Sequence, residues 1–270
     1  SLADAARIVE QANSYSSFIQ IGLQYRFKAQ YVEAFHEALS RRSLGVIKAI
    51  SMTEYRPPFL DKVGQWNKFN EYSGGTLVEK CCHYFDLINL LADSKPQRVF
   101  ASGGQAVNFL DFEKDGKKSD IDDHSFVTID YSNGVRATVA LNMFCPDFYE
   151  ELVICGDEGR LLACERVDLQ QMKAPDASVS VYLGKQGASR TTKLGYPAAI
   201  EKSGHHGATY YEHSAFLDRL EGKLVDSATP LQGLWAMIVA SAAQESIATG
   251  NPIEIAQYID LHKLAAALSQ

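Results

Sequence analysis

Between residues 98 and 182 the chain runs through short apolar segments bounded by turn residues. Arg98–Val107, Ser125–Tyr131, Val135–Asn142, Leu152–Cys155, Arg160–Ala163 and Val179–Tyr182 each read as a strand. Ser132-Asn133-Gly134 joins two of them as a hairpin, because Asn-Gly supplies the positive φ angles that a tight turn needs. Gly156-Asp157-Glu158-Gly159 makes another turn. Runs of strands followed by helices indicate an α+β layer rather than a repeating βαβ fold.

The flanks supply the helices. Leu2, Ala5, Ala6, Ile8 and Val9 form a helical stripe capped by Ser1 and Asp4. Phe18–Leu23 reads as a buried strand, Tyr31–Leu39 as a second helix and Val46–Tyr55 as a strand. Pro57-Pro58 breaks regular structure, and a polar loop carrying Trp66 runs to Ser73. Gly74-Gly75 precedes a long apolar-periodic helix, Leu77–Ala92. Helices Tyr211–Leu220 and Leu231–Ala248 close the chain, the second stopped by Gly250-Asn251-Pro252. The expected class is therefore α+β: a mixed, mostly antiparallel open sheet with helices on one face, preceded by a helix–strand unit. Lys114–Lys118 reads as a solvated hairpin tip.

Composition narrows the function classes. The formal net charge is −7 over 270 residues, with no basic run. That is a poor footprint for nucleic acid and offers no polybasic membrane anchor. Leu234–Ala243 is far shorter than the ~20 apolar residues of a membrane span. The five cysteines, Cys81, Cys82, Cys145, Cys155 and Cys164, show no regular spacing, which points to reduced thiols and a cytoplasmic setting.

Two segments could carry chemistry. In Gly74-Gly75-Thr76-Leu77-Val78-Glu79-Lys80-Cys81-Cys82-His83-Tyr84-Phe85-Asp86, Glu79 and His83 are four apart and stack on one helix face, with Asp86 close to it. A carboxylate one turn away orients an imidazole and raises its pKa into acid/base range. The same spacing also fits a surface ion pair on an amphipathic helix. In Ser203-Gly204-His205-His206-Gly207-Ala208-Thr209-Tyr210-Tyr211-Glu212-His213, the glycines let backbone approach a ligand closely, and the segment fits a flexible loop equally well. No metal is expected, since these His and Glu residues lack zinc-signature spacing. Arg26, after the Phe18–Leu23 run, could clamp a ligand or pair with Glu10 or Glu33. Trp66 could stack on a sugar ring or plug the core. No G-x-G-x-x-G lies between a strand and a helix, so a dinucleotide pyrophosphate has no ordinary cradle.

In order and spacing these features resemble the glucose–fructose oxidoreductase/inositol dehydrogenase/MocA-like (Gfo/Idh/MocA) family of NAD(P)-dependent oxidoreductases. Leu2–Ala12 is similar to the last helix of that family's Rossmann domain, and Phe18–Leu23 to the strand after it. Arg26 matches the Arg at the domain junction, and Leu44-Gly45-Val46-Ile47 the turn into the second domain. Gly74–Asp86 resembles the pattern G-G-x-L-x-D-x-G-x-H-x-x-D, with Glu79 in place of Asp and Cys81 in place of Gly. Asp122-Asp123 with Val127–Met143 resembles the central hairpin. Phe216–Gly222 and Ala243–Ile253 resemble the closing helices.

The resemblance implies that residues 1–24 are a remnant of a Rossmann domain and that residues 25–270 form a substrate-binding and oligomerisation domain. It implies His83 as general acid/base and Glu79 as the carboxylate that orients it or binds substrate. Arg26, Trp66, Lys80, His206 and Tyr210 are the expected substrate contacts. The family's Gly-rich loop and Glu-Lys-Pro lysine are missing. The cofactor, NAD or NADP, is therefore expected in the full-length protein and not on this chain, which alone is expected to be inactive. The expected substrate is a sugar or polyol, and the expected assembly a homodimer or homotetramer through the sheet face. Two alternatives remain: a non-enzymatic oligomerisation or binding module of the same fold, and NAD-dependent glycosidase-type chemistry.

Overall fold

In a computed structural model, which describes residues 1–171, 174–184 and 187–269, the apolar runs form one nine-stranded sheet. Its strands are β1 (Ile47–Tyr55), β2 (Pro96–Gly104), β3 (His124–Tyr131), β4 (Arg136–Asn142), β5 (Phe148–Gly156), β6 (Gly159–Val167), β7 (Asp176–Leu183), β8 (Ala188–Leu194) and β9 (Ile253–Glu254). The spatial order is β8-β7-β6-β5-β1-β4-β3-β2-β9. Only β1 and β4 pair in parallel; all other neighbours are antiparallel. The mixed sheet thus follows from placing β1 between two later strands rather than at an edge.

Strand alternation sorts the two faces. Ile50, Met52, Val127, Ile129, Val139, Leu152, Ile154 and Leu161 point to one face and are buried. Helices α2 (Ala29–Phe35), α3 (Cys82–Ala92), α5 (Pro230–Thr249) and α6 (Ile255–Leu261) cover that face, with α1 (Leu2–Ser14) packed on α5 and α4 (Ala208–Leu220) on the segment at Gln24–Phe27. α5 is apolar nearly all round, with Leu234, Ala236, Ile238, Val239, Ala240, Ala242 and Ala243 buried, as a central helix must be. Thr229 and Gln232 cap its start reciprocally. Leu2, Ala6 and Val9 of α1 belong to the same core cluster, so residues 1–24 share their packing with the rest. Among the described residues no helix lies on the opposite face, which presents Phe126, Phe100 and Thr128 to solvent.

Four local expectations change. Phe18–Leu23 is not a strand: the Ile21 N–H bonds the Ala228 carbonyl, Phe18 meets Phe216 edge-on, and no strand runs alongside. Leu23 is buried, and Phe18, Ile19 and Ile21 are half-buried. The Leu77–Ala92 helix is broken into a turn, Thr76–Glu79, and α3: the Lys80 N–H still bonds the Thr76 carbonyl at 2.9 Å, and regular helix resumes at Cys82. β8 was not legible, since Ala-Ser-Arg-Thr-Thr-Lys-Leu has no apolar alternation; it is an exposed edge held by main-chain pairing with β7. α6 and a 3-10 segment, Val63–Lys68, also lie where no element was expected.

Candidate active site

Three glutamates face the helices from neighbouring strands. Glu54 of β1 lies opposite Glu150 of β5, which lies opposite Glu165 of β6. All three are buried. Like charges directly opposite one another repel, and a buried carboxylate needs a partner. Cations from the helix layer supply it. Lys28, at the start of α2, pairs with both Glu150 and Glu165, and Lys80 pairs with Glu54 at 3.1 Å. His206 Nδ1 lies 2.6 Å from Glu165, and the Tyr31 and Tyr84 hydroxyls donate to Glu150 at 3.1 and 2.8 Å. Burial alone would push the Glu165 carboxyl up; the Lys28 ammonium and His206 outweigh it and hold it well below the usual range. Burial likewise works against the charge on Lys28, and the two glutamates overcome it, raising its pKa.

Tyr25 caps this layer. Lys80 Nζ donates to its hydroxyl at 2.6 Å, and the Lys28 and Lys80 ammonium groups each lie 4.6 Å from its ring centre. His83 stacks on the same ring, with centroids 4.7 Å apart and planes inclined by 19°. His83 Nδ1 is buried without a hydrogen-bond partner among the described residues. Burial first, then the charges of Lys80, His205 and Lys28, push the His83 pKa down to about 3, so the imidazole is neutral at pH 7.

These residues wall a cavity of about 600 Å³. His83, Glu79, Lys80 and His206, all singled out from the sequence, line it together with Tyr25, Lys28, Arg56 and His205. Elsewhere the surroundings of the expected residues differ from the sequence reading. Glu79 and His83 both face this cavity, and Glu79 takes Lys62 at 3.2 Å across its wall. Asp86 does not orient His83 or raise its pKa, because Arg26 holds it in a two-pronged hydrogen bond of 2.7 Å on each arm. Arg26 is itself buried in that pair and a 3.1 Å bond to Gln232 at the start of α5. It is a brace between segments and lines no part of this cavity. Its partner is neither Glu10 nor Glu33.

Trp66 and Tyr210 also lie outside. Trp66 lines a separate cavity, and the exposed Tyr210 sits edge-on to Tyr211. The loop at residues 204–207 is held in the left-handed region throughout, with φ of 100°, 47°, 53° and 95° at Gly204, His205, His206 and Gly207. Such strain in non-glycine residues persists only where surrounding contacts fix it. Here they are Glu165 for His206 and Thr209, at 3.0 Å, for His205.

Sequence reasoning missed Tyr25, Lys28, Glu54, Glu150 and Glu165. The glutamates did carry a signal: each stands two residues from a core side chain of its strand, Met52, Leu152 and Ala163 respectively, and so at an inward parity. Among the described residues no group of three or more His, Cys, Asp or Glu converges as a metal site.

The arrangement defines an α+β domain that presents a neutral histidine, a carboxylate and paired lysines to one cavity with apolar walls beside them. Residues 36–255 match the Gfo/Idh/MocA oxidoreductase family, C-terminal alpha/beta domain, and the chain belongs to that family. It is 24% identical over 165 residues to myo-inositol 2-dehydrogenase of Thermotoga maritima, a match spanning 60% of this chain and 46% of that protein. The chain thus covers less than half of that relative. The fold superposes on an oxidoreductase from Agrobacterium radiobacter, solved with NAD+, L-tartaric acid and magnesium, at a TM-score of 0.71 and 16% identity; 95% of this chain and 70% of that one are covered. An aldose-aldose oxidoreductase from Caulobacter crescentus, solved with glycerol, gives 0.67 at 14% identity, covering 94% and 68%.

Proposed function

We propose that this chain is the substrate-binding part of an oxidoreductase acting on a CH–OH group of a sugar or polyol, with His83 as the acid/base. The observation that carries the reading is His83: a neutral imidazole, stacked on Tyr25, at the wall of the 600 Å³ cavity. A neutral histidine can accept the proton of a substrate hydroxyl, and once protonated can return it. Glu79 accepts from a neighbouring substrate hydroxyl while Lys62 fixes its carboxylate. Lys80 and Lys28, anchored on the buried glutamates, hold the Tyr25 ring that orients His83. NAD or NADP supplies the hydride acceptor in the complete enzyme. The described residues contain no glycine-rich turn between a strand and a helix.

The uncovered sheet face, with Phe100 and Phe126 exposed, supports a homodimer or homotetramer joined through that face. The five free cysteines support a cytoplasmic setting. Among the described residues no helix is long and apolar enough to cross a membrane.

The test is steady-state kinetics of the complete enzyme with a panel of polyols and aldoses under both nicotinamide cofactors. His83→Ala is expected to lower kcat by ~10²-fold or more with a small change in KM. Unchanged turnover in that variant defeats the assignment of His83.

A further inference from the structure

A second cavity, of about 290 Å³, lies beside the first and is used by nothing described so far. It stands at the small end of ligand-sized cavities, which run from ~300 to 1,000 Å³. Its walls are Trp66, Phe69 and Tyr72, with Lys114 and Asp115 from the hairpin tip. Phe69 is buried and meets Tyr72 edge-on at 5.9 Å. Lys117, also at the rim, is already paired with Glu71.

Lys114 is different. Its ammonium donates to the Gly64 carbonyl at 2.6 Å, and no ion pair among the described residues neutralises it. Asp115 stands next to it at the turn, with φ of 53°. The cavity therefore combines aromatic walls, one donor with protons to spare and one acceptor. A net-charged ligand would gain from one of these groups and be repelled by the other. A ligand with a flat apolar face and hydroxyl groups at its edge satisfies all of them.

We propose that this cavity is a second sugar-binding subsite, taking a neutral pyranose ring stacked on the aromatic wall with its hydroxyls shared between Lys114 and Asp115. One side chain links it to the first cavity: the Lys62 ammonium lies 5.1 Å from the Trp66 ring centre and 3.2 Å from the Glu79 carboxylate. A substrate with two linked rings can thus be read by both cavities. The proposal rests on the sugar or polyol reading above for its choice of ligand, but not on the role of His83.

The chain has two tryptophans, Trp66 and Trp235, which makes their indole N–H resonances a direct readout. Methyl glucopyranoside, cellobiose, glycerol and phenol are titrated into the chain, and the two signals are followed. Both glycosides are expected to shift the Trp66 signal saturably in the millimolar range, while glycerol, which lacks a ring face, does not. Lys114→Met is expected to weaken the glycosides about tenfold while the Trp235 signal stays in place and reports an intact fold. The shift is expected to persist in His83→Ala, which separates this subsite from the first cavity. Absence of a saturable Trp66 shift overturns the proposal, as does a response to phenol alone. Loss of the shift in His83→Ala overturns it too, by placing the sugar in the first cavity.

Discussion

Replacing Lys28 by methionine removes one charge and leaves two buried carboxylates. Lys28 is 3% exposed and holds Glu150 and Glu165 together, across strands whose register sets those glutamates opposite one another. Methionine keeps a stem of similar length and removes the ammonium, which also lies over the Tyr25 and Phe148 rings, so the loss is chiefly electrostatic. Breaking one partner out of a buried ion pair costs about 3–5 kcal/mol. Against a typical total of ~5–15 kcal/mol, that is a large fraction of the stability.

The pH dependence gives the prediction its sign. In the native protein Glu165 titrates below its ordinary value of 4.5, so its stabilising contribution is complete above that value and is lost as pH falls through the folded pKa. Lys28 is raised above 10.5, so its contribution is present below that value and is lost as pH rises through the folded pKa. Without Lys28 the Glu165 carboxyl loses the largest of the influences that lower its pKa, so it takes up a proton at higher pH. The penalty of Lys28→Met is therefore expected to be largest near neutrality and to shrink towards pH of about 5. Urea unfolding followed by tryptophan fluorescence at both pH values measures it. Lys28→Met/Glu150→Gln is expected to recover part of the loss. A penalty under ~1 kcal/mol, or one unaffected by neutralising Glu150, refutes the view that Lys28 neutralises a glutamate row.

His83 is expected to stay neutral down to pH of about 4 in an NMR titration of its ring protons, and Lys80→Met to raise its midpoint; a midpoint near 6.5 in the unmodified chain contradicts the burial described. Because the folded pKa lies below the unfolded one, this residue makes stability fall as pH drops from 6.5 towards 3. Gly75→Ala is expected to cost about 1–3 kcal/mol in thermal or urea unfolding, since φ of 93° is strained for any side chain. The new Cβ would also fall 1.8 Å from Gln244 Nε2, so Gly75→Ala/Gln244→Ala should relieve the clash but not the strain. An alanine variant as stable as the parent removes the argument.

The chain's own periodicities settled the class of the fold. Alternating apolar residues in β3, β4 and β5, with Asn133-Gly134 between two of them, specify antiparallel strands with one buried face, and a period-two pattern needs no distant information. The continuous apolar character of α5 marked a central helix in the same way. Spacing placed Glu79 and His83 among the functional candidates, the family resemblance added Lys80 and His206, and tertiary structure brings all four to one cavity. What the sequence left undecided depended on partners far along the chain. Whether Phe18–Leu23 became a strand turned on a neighbour to pair with, and only the Ala228 carbonyl, just ahead of α5, meets the Ile21 N–H. Whether Arg26 met a ligand or a carboxylate turned on where Asp86, sixty residues later, would lie. The glutamate row required the register of three strands, and the neutrality of His83 required the ring of Tyr25 and the ammonium of Lys80 beside it. Local pattern fixes which face of an element is apolar, but burial and charge at a site are sums over residues that only the folded chain brings within a few ångströms.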